Sequence, residues 1–250
     1  MSDLTISIVV PALNEEDNLR NTVEELIRSF EPSVKEYEIL VFDDKSTDRT
    51  ALIADELESE YKHVRAFHNA SRKNIGGIYK EGLRRALYDY FMLIPGDHEV
   101  IIDKVIGALA YLRKADVVIF YHKNDHIRPW IRQVLSCAYT AIVNCLFFTN
   151  FKYTNDTNIY RKSVLDGLEI KASDFSYQTE TLLKVVKSGI DFVELGKDIR
   201  PRKSGESKAL SLRSLFIVCK NIVRLWVDVM FASRRRFALK GRKILSAEIN

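Results

Sequence analysis

The sequence predicts an α/β fold with a largely parallel sheet covered by helices, and three observations carry that expectation. Short β-branched or apolar runs alternate with segments of helical spacing through the first half of the chain, the pattern of parallel strands joined by crossover helices. Polar, acidic clusters follow three of those strand runs, and in open α/β sheets ligands bind beyond the carboxyl ends of the strands. The chain has 250 residues, 46% of them hydrophobic, with a mean hydropathy of -0.13. That is enough to bury one sizeable core, and the composition is neither disordered nor broadly membrane-like.

Taken in order, residues 5–10 form a β-branched run expected to stop at Pro11. Residues 15–30 carry helical spacing through Leu19, Val23, Leu26 and Ile27, with Asn14 placed to cap the helix and Glu15, Glu16 and Asp17 in its first turn. Residues 37–42 read as a second buried strand ended by Asp43-Asp44-Lys45-Ser46-Thr47-Asp48. A helix over 50–60, a short strand over 63–68 and a helix over 78–86 after a Gly76-Gly77 turn follow. The strand at 90–94 is stopped by Pro95-Gly96-Asp97. Past Ile101 come a helix, a strand at 116–121 and a long apolar helix from about 129 to 148. Residues 197–208 read as a basic loop containing Pro and Gly, and the tail from Ser211 as a helical pair, apolar and basic, ending in Arg234-Arg235-Arg236. The expected organisation is one domain over 1–210 with an appended tail over 211–250.

A net charge of +4 suits phosphates or anionic lipid but does not indicate nucleic-acid binding. Cys137, Cys145 and Cys219 lack C-x-x-C spacing and sit among apolar residues, so they read as small core or interface residues in a reducing compartment, and a zinc site is not expected. The first ten residues read as a strand rather than a signal peptide, which predicts a cytoplasmic protein. The two most apolar segments, 134–148 and 215–232, fall short of the roughly 20 residues a spanning helix needs. Any membrane contact is expected to be peripheral.

Two segments carry the chemistry. Val10-Pro11-Ala12-Leu13-Asn14-Glu15-Glu16 ends a strand and opens a helix, so backbone amides, an Asn and carboxylates converge there; read alone, it is a helix cap. In Asp43-Asp44-Lys45-Ser46-Thr47-Asp48 the carboxylates repel one another unless a cation or hydrogen bonds offset the cost; read alone, it is a capped turn. Together, as V-P-x-x-N-E-x-x-x-L and D-D-x-S-x-D-x-T at consecutive strand ends, they resemble the nucleotide-binding half of the family 2 glycosyltransferases. The resemblance covers about residues 5–210 and implies the GT-A fold, a Rossmann-like and mostly parallel sheet. It further implies that Pro11, Ala12, Asn14 and Glu15 border the base and ribose of a nucleotide diphosphate sugar and that Asp43 and Asp44 contact the nucleoside. Lys73-Asn74-Ile75-Gly76-Gly77, with Gly82 and Ala86 after it, is similar to the family's Gly-rich loop and helix, where Gly76 lets backbone approach the nucleotide.

The family usually carries D-x-D after its fourth strand, and this chain has Pro95-Gly96-Asp97-His98-Glu99. Asp97 stands at the second Asp, Pro95 replaces the first, and Glu99 restores a carboxylate pair. His98 is a softer possible ligand or a solvent-facing turn residue. Hard oxygen ligands beside a diphosphate imply Mg²⁺ or Mn²⁺ at Asp97 and Glu99.

The second half resembles polyprenyl-phosphate sugar synthases. Asp156-Thr157-Asn158-Ile159-Tyr160-Arg161 is similar to their G-F-R-x-Y-R, with Asp156 and Asn158 in place of Gly and Arg. Gln178-Thr179-Glu180 is similar to their Q-x-E, although read by itself it is an ordinary helix surface pair. Arg202-Lys203-Ser204-Gly205-Glu206-Ser207-Lys208 reproduces R-x-x-G-E-S-K, a cationic clamp in which Arg202 and Lys208 would draw in phosphate oxygens. The resemblance thus implies Asp97, Glu180, Arg202 and Lys208 as the catalytic set, and an inverting transfer of a mannose- or glucose-class sugar to a lipid phosphate. A saccharide hydroxyl is the alternative acceptor and would need a base at Asp174 or Glu180. A sugar-nucleotide-binding module without catalysis is suggested by Pro95. A dinucleotide oxidoreductase fares poorly, since no G-x-G-x-x-G follows the first strand. The tail, with apolar and basic residues interleaved, reads either as interfacial helices on a membrane or as a hairpin packed on the core or on a second subunit of a homo-oligomer.

Overall fold

The strands are β1 (Ser2–Ala12), β2 (Val34–Asp43), β3 (Val64–His68), β4 (Tyr90–Leu93), β5 (Val117–His122), β6 (Ile159–Arg161), β7 (Phe192–Lys197) and β8 (Lys243–Glu248). The α-helices are α1 (Leu19–Phe30), α2 (Thr50–Glu60), α3 (Asn74–Arg85), α4 (Ile102–Ala108), α5 (Trp130–Phe147), α6 (Lys162–Leu165), α7 (Ser176–Lys187) and α8 (Leu212–Val227). These come from a computed structural model that describes residues 2–201, 212–232, 237 and 239–249. The strands form one sheet in the order β3-β2-β1-β4-β6-β5-β7-β8. β6 runs antiparallel to β4 and β5, and the other pairings are parallel. The carboxyl ends of β1, β2, β4, β5 and β7 therefore open on one edge, where the start of β6 joins them. The expected α/β class and mostly parallel sheet are as observed.

Helices cover both faces because the central strands are apolar on both sides. On one face Ile8, Val10, Ile39 and Val41 pack with Leu19, Val23, Leu26 and Phe30 of α1 and with Ile102 and Val105 of α4. On the other, Val9, Leu40, Phe42 and Phe91 pack with Ile78 and Tyr79 of α3, Tyr177 and Leu182 of α7, and Ile222 and Leu225 of α8.

Several boundaries differ from the sequence expectation. Pro11 does not stop β1, which runs on to Ala12 paired with Asp43. Pairing of β1 with β4 ends at Val9 and Leu93, so the missing N–H of Pro11 breaks no ladder there. Residues 15–18 are a turn and α1 begins at Leu19, because the polar groups expected to cap it reach across to the β2 loop instead. α3 begins at Asn74, so Gly76 and Gly77 lie within its first turns rather than before it. Among the described residues the tail expected as a helical pair shows α8, a π-helical turn at Asp228–Ala232 and the edge strand β8. β8 completes the sheet beside β7, anchored by Lys243 Nζ on the buried Glu194 Oε2 at 2.6 Å. Cys137 and Cys145 are exposed, not core. α5 buries Thr140, Val143 and Phe147 and turns Gln133, Ser136, Thr140 and Asn144 toward the end of β5, so its apolar composition did not identify the inward face.

Candidate active site

The loops after β1 and β2 are knitted together by the residues the sequence singled out. Asn14, held at a positive φ of 57°, accepts the Thr47 N–H on its side-chain oxygen at 2.9 Å and donates its own N–H to Ser46 Oγ at 3.0 Å. Glu15 N–H donates to Thr50 Oγ1 at 2.8 Å, Glu16 N–H to Asp48 Oδ2 at 3.2 Å, and Arg49 N–H to Glu16 Oε2 at 3.0 Å. Two loops that follow different strands thus form one preorganised rim.

Asp43 and Asp44 are buried beneath that rim. Asp43 Oδ1 accepts the Ser46 N–H at 3.0 Å. Asp44 accepts Asn69 Nδ2 and the backbone N–H groups of Lys73 and Asn74 at 2.8 to 3.0 Å, which satisfies donors at the start of α3. The Asp-Asp pair therefore joins the β2 end to the α3 end, and the repulsion anticipated between its carboxylates is offset by backbone donors. Gly76 closes the same corner: its N–H donates to Ser173 O at 3.0 Å, and a Cβ there would stand 2.8 Å from the Ser173 backbone.

The loop after β4 docks on the same rim. Gly96 N–H donates to Pro11 O at 3.0 Å, its carbonyl accepts Thr22 Oγ1 at 3.3 Å, and Asp97 follows with Glu99 N–H donating to Asp97 Oδ1 at 3.2 Å. His98 is neither solvent-facing nor turned toward Asp97 as a ligand; its Nε2 meets Glu25 on α1 at 2.7 Å. Among the described residues no group of three or more His, Cys, Asp or Glu gathers as a metal cluster. The turn offers hard oxygens from Asp97 and Glu99. An ion held there would take its remaining ligands from diphosphate and water, as Mg²⁺ does, and on those terms the donor set fits Mg²⁺ or Mn²⁺.

Across the sheet lies a cluster that sequence reasoning missed in part. Asp156, ahead of β6, is ion-paired to Lys197 Nζ at 2.8 Å and His122 Nε2 at 3.0 Å, with Lys197 side chain 0% exposed. Burial pushes the Asp156 carboxyl up, but Lys197 and then His122 outweigh it and hold it well below the usual carboxylate range. Asn158 accepts the Phe120 N–H at 3.1 Å and donates to Tyr160 Oη at 3.2 Å, so it ties β6 to β5. Beside His122 a cleft of about 390 Å³ opens between the end of β5 and α5, lined by Tyr121, His122, Gln133, Ser136, Thr140 and Asn144 among others. His122 and Lys197 end their strands, and their position on the same sheet edge as Asp97 was the available signal.

Glu180 is a buried anchor rather than a helix-surface residue. Its oxygens accept the N–H groups of Lys171 and Ala172 at 3.0 and 2.8 Å and pair with Lys184 Nζ at 2.7 Å, which fixes the segment that touches Gly76. Gln178 Nε2 donates to Asp156 O at 3.2 Å. Asp174 receives Ser176 N–H and Asn221 Nδ2. Arg202 and Lys208 lie outside the described residues.

The sheet order, the crossed loops at its carboxyl edge and the acidic turn after β4 define an α/β protein with a candidate ligand site beyond the carboxyl ends of its strands. Residues 7–168 match Glycosyl transferase family 2, and the chain belongs to that family. It is 28% identical over 233 residues to a dolichol-phosphate mannosyltransferase of Pyrococcus furiosus, covering 89% of this chain and 64% of that protein. It is 26% identical to an undecaprenyl-phosphate mannosyltransferase of Micrococcus luteus, covering 82% of this chain and 87% of the relative. Against Glycosyltransferase AglD of Haloferax volcanii, 24% identical, the chain covers 88% of itself and 37% of the relative. The chain thus spans less than two thirds of the length of the Pyrococcus and Haloferax proteins. Its fold is similar to that of glucosyl-3-phosphoglycerate synthase from Mycobacterium tuberculosis, crystallised with Mn²⁺, UDP-glucose and phosphoglyceric acid, with a TM-score of 0.61 at 18% identity over 90% of this chain and 79% of that one. The same enzyme was also crystallised with Mg²⁺ and UDP.

Proposed function

We propose that the chain is an inverting glycosyltransferase that moves a mannose- or glucose-class sugar from a nucleotide diphosphate donor to a polyprenyl-phosphate-type lipid. The observation that carries the reading is the convergence of the β1, β2 and β4 loops at one edge, with Asp97 on the turn beside the rim. Pro11, Ala12, Asn14 and Glu15 border the base and ribose, Asp43 and Asp44 hold the floor on which the nucleoside rests, and Gly76 gives the backbone approach. Asp97 and Glu99 would hold a divalent cation, which would offset charge on the departing diphosphate. A phosphate oxygen of the lipid attacks the anomeric carbon, its new C–O bond replaces the bond to the nucleotide diphosphate, and no proton need be removed. Arg202 and Lys208 attract the lipid phosphate.

The acceptor choice rests on a separate observation. A hydroxyl acceptor needs a base, and the oxygens of Asp174 and Glu180 are taken up by protein donors. Names of the Pyrococcus and Micrococcus relatives support the same acceptor class. Incubating the full chain with Mg²⁺ or Mn²⁺, GDP-mannose or UDP-glucose and a polyprenyl phosphate should give the corresponding lipid-phosphate sugar. Metal-dependent transfer to a saccharide hydroxyl instead would replace the acceptor assignment, and binding without turnover of any donor would leave a sugar-nucleotide-binding module.

The same lipid places the protein at a membrane surface. Among the described residues no helix is long and apolar enough to cross a membrane. α5 exposes Trp130, Ile131, Val134 and Ile142 and ends beside exposed Phe148, and α8 and its continuation expose Val223, Val227 and Phe231. α5 contains Arg132 and no acidic residue, and α8 contains Arg213, Lys220 and Arg224 and no acidic residue. Two contacting helices with apolar and cationic groups and no anions suit an anionic lipid interface. The full chain should float with phosphatidylserine-containing vesicles, and Val134→Asp with Ile142→Asp should weaken binding on the order of tenfold per site. A chain that remains in the soluble fraction with those vesicles would remove the membrane from the proposal.

A further inference from the structure

The paired aspartates at the end of β2 are not equally committed. Asp44 gives both oxygens to protein donors, Oδ1 to Asn69 Nδ2 and the Lys73 N–H and Oδ2 to the Asn74 N–H. Asp43 gives Oδ1 to the Ser46 N–H at 3.0 Å. Its Oδ2 receives no hydrogen bond from the described residues and faces His68 Nδ1 at 3.6 Å.

His68 stands opposite Asp43 in the β2–β3 register, and the neighbouring rungs hold it there. Phe42 and Phe67 stack one residue earlier, with ring centroids 4.9 Å apart, and one residue later the Asn69 N–H donates to Asp43 O at 2.9 Å. His68 Nε2 meets Asp55 Oδ1 on α2 at 2.9 Å. An ionised carboxylate only accepts, so that contact places a proton on Nε2. In the neutral ring Nδ1 is then a bare lone pair, and two acceptors face each other across 3.6 Å without bonding. A donor group entering beside them meets Oδ2 uncontested.

Protonation reverses this arrangement, because Nδ1 gains an N–H and the acceptor facing it is Asp43 Oδ2. The charged groups facing the ring are Asp55 from α2 and Asp43 from β2. Burial pushes the His68 pKa down, but Asp55 and then Asp43 outweigh it and raise it above the ordinary histidine value. The change between the two states therefore lies above that value.

We propose that His68 gates Asp43 as a receptor for the nucleobase. With the ring neutral, Asp43 Oδ2 is open to an N–H on the edge of the base; with the ring cationic, His68 takes that oxygen for itself, so donor affinity falls on acidification. This rests on the donor-site reading made above, in which Asp43 contacts the nucleoside. Competition at the oxygen is direct, whereas attraction between a ring 41% exposed and the diphosphate is screened by solvent.

Calorimetry on the full chain with Mg²⁺ measures the affinity of UDP, GDP, CDP and ADP from about pH 8.5 to about pH 6, for wild type, His68→Leu and Asp55→Asn. NMR follows the His68 ring with and without saturating nucleotide. Over that range wild type should lose about tenfold in affinity relative to His68→Leu, the worth of one hydrogen bond to a charged acceptor. His68→Leu has no ring to titrate and keeps only the pH dependence of the nucleotide itself. Asp55→Asn removes an anion from the ring and should move the midpoint of the affinity loss to lower pH. By linkage, saturating nucleotide should lower the His68 pKa. Identical pH dependence in wild type and His68→Leu, or a His68 pKa that nucleotide leaves unchanged or raises, overturns the proposal. If His68→Leu does not fold, an unmoved midpoint in Asp55→Asn overturns it equally. A wild-type chain that binds none of these nucleotides anywhere in the range brings down the donor-site reading and this inference together; normal binding with an indifferent His68 brings down this inference alone.

Discussion

Replacing Asp97 with Ala is expected to lower sugar transfer by on the order of 10³-fold and to leave the fold intact. The magnitude follows from what a preorganised charge contributes where a leaving group develops negative charge, several kcal/mol in a site that excludes water. Stability is expected to change little because Asp97 sits half-buried on a turn, and its hydrogen bond from the Glu99 N–H is long, at 3.2 Å. Donor binding should lose its dependence on Mn²⁺, whereas base and ribose contacts from the crossed β1 and β2 loops remain. Steady-state kinetics across an Mn²⁺ titration, with a thermal melt on the same sample, separates these effects. Turnover within about threefold of wild type in Asp97→Ala would move the metal, and with it the chemistry, away from this turn. Glu99→Gln is the companion measurement and should cost less, since the proposal makes Glu99 the second oxygen donor of the pair.

Asp156→Asn is expected to destabilise the protein by about 3–5 kcal/mol, the cost of leaving a buried cation without its counter-charge. Lys197 has no exposed side-chain surface and His122 very little, so neither is readily solvated when the carboxylate is lost. Lys197→Met in the Asp156→Asn background should recover part of the loss, because the remaining apolar surroundings include the Phe120 ring, 5.3 Å from the ammonium. The pH dependence has a definite sign. The carboxyl is held below its unfolded value of about 4, so its stabilisation is fully present above that pH and is lost as pH falls toward the folded-state value. The gap between wild type and Asp156→Asn in urea midpoint should therefore be constant from neutral pH down to about 5 and shrink at more acidic pH. A variant as stable as wild type at neutral pH would show that the Asp156 carboxylate is not needed to offset the buried Lys197 ammonium.

The acidic turn and the Asp156–Lys197–His122 cluster differ in how far they could be read from residue order. Asp97 follows a strand run, and its place beyond the carboxyl end was legible from the sequence. Asp156 was legible as a departure from G-F-R-x-Y-R, but its partners lie in residues 122 and 197, and pairing over such separations leaves no local pattern. Glu180 shows the same gap: helical spacing cannot distinguish a solvated face from one buried between α3, α6 and α8. The Asn14-Glu15-Glu16 run carries helix-capping chemistry, yet its groups bond to Ser46, Thr47, Asp48, Arg49 and Thr50. Local preference gave way there because the neighbouring loop offered a full set of partners.

Residue order by itself determined the alternation of strands and helices, the mostly parallel sheet and the edge at which the acidic segments gather, because those follow from periodicity and from the geometry of crossover connections. Tertiary structure alone decided which of the gathered side chains face the site and which hold it together. Carboxylates are acceptors for any donor within reach, and whether that donor is a ligand, a backbone N–H or a buried lysine depends on which loops the folded sheet brings within hydrogen-bonding distance.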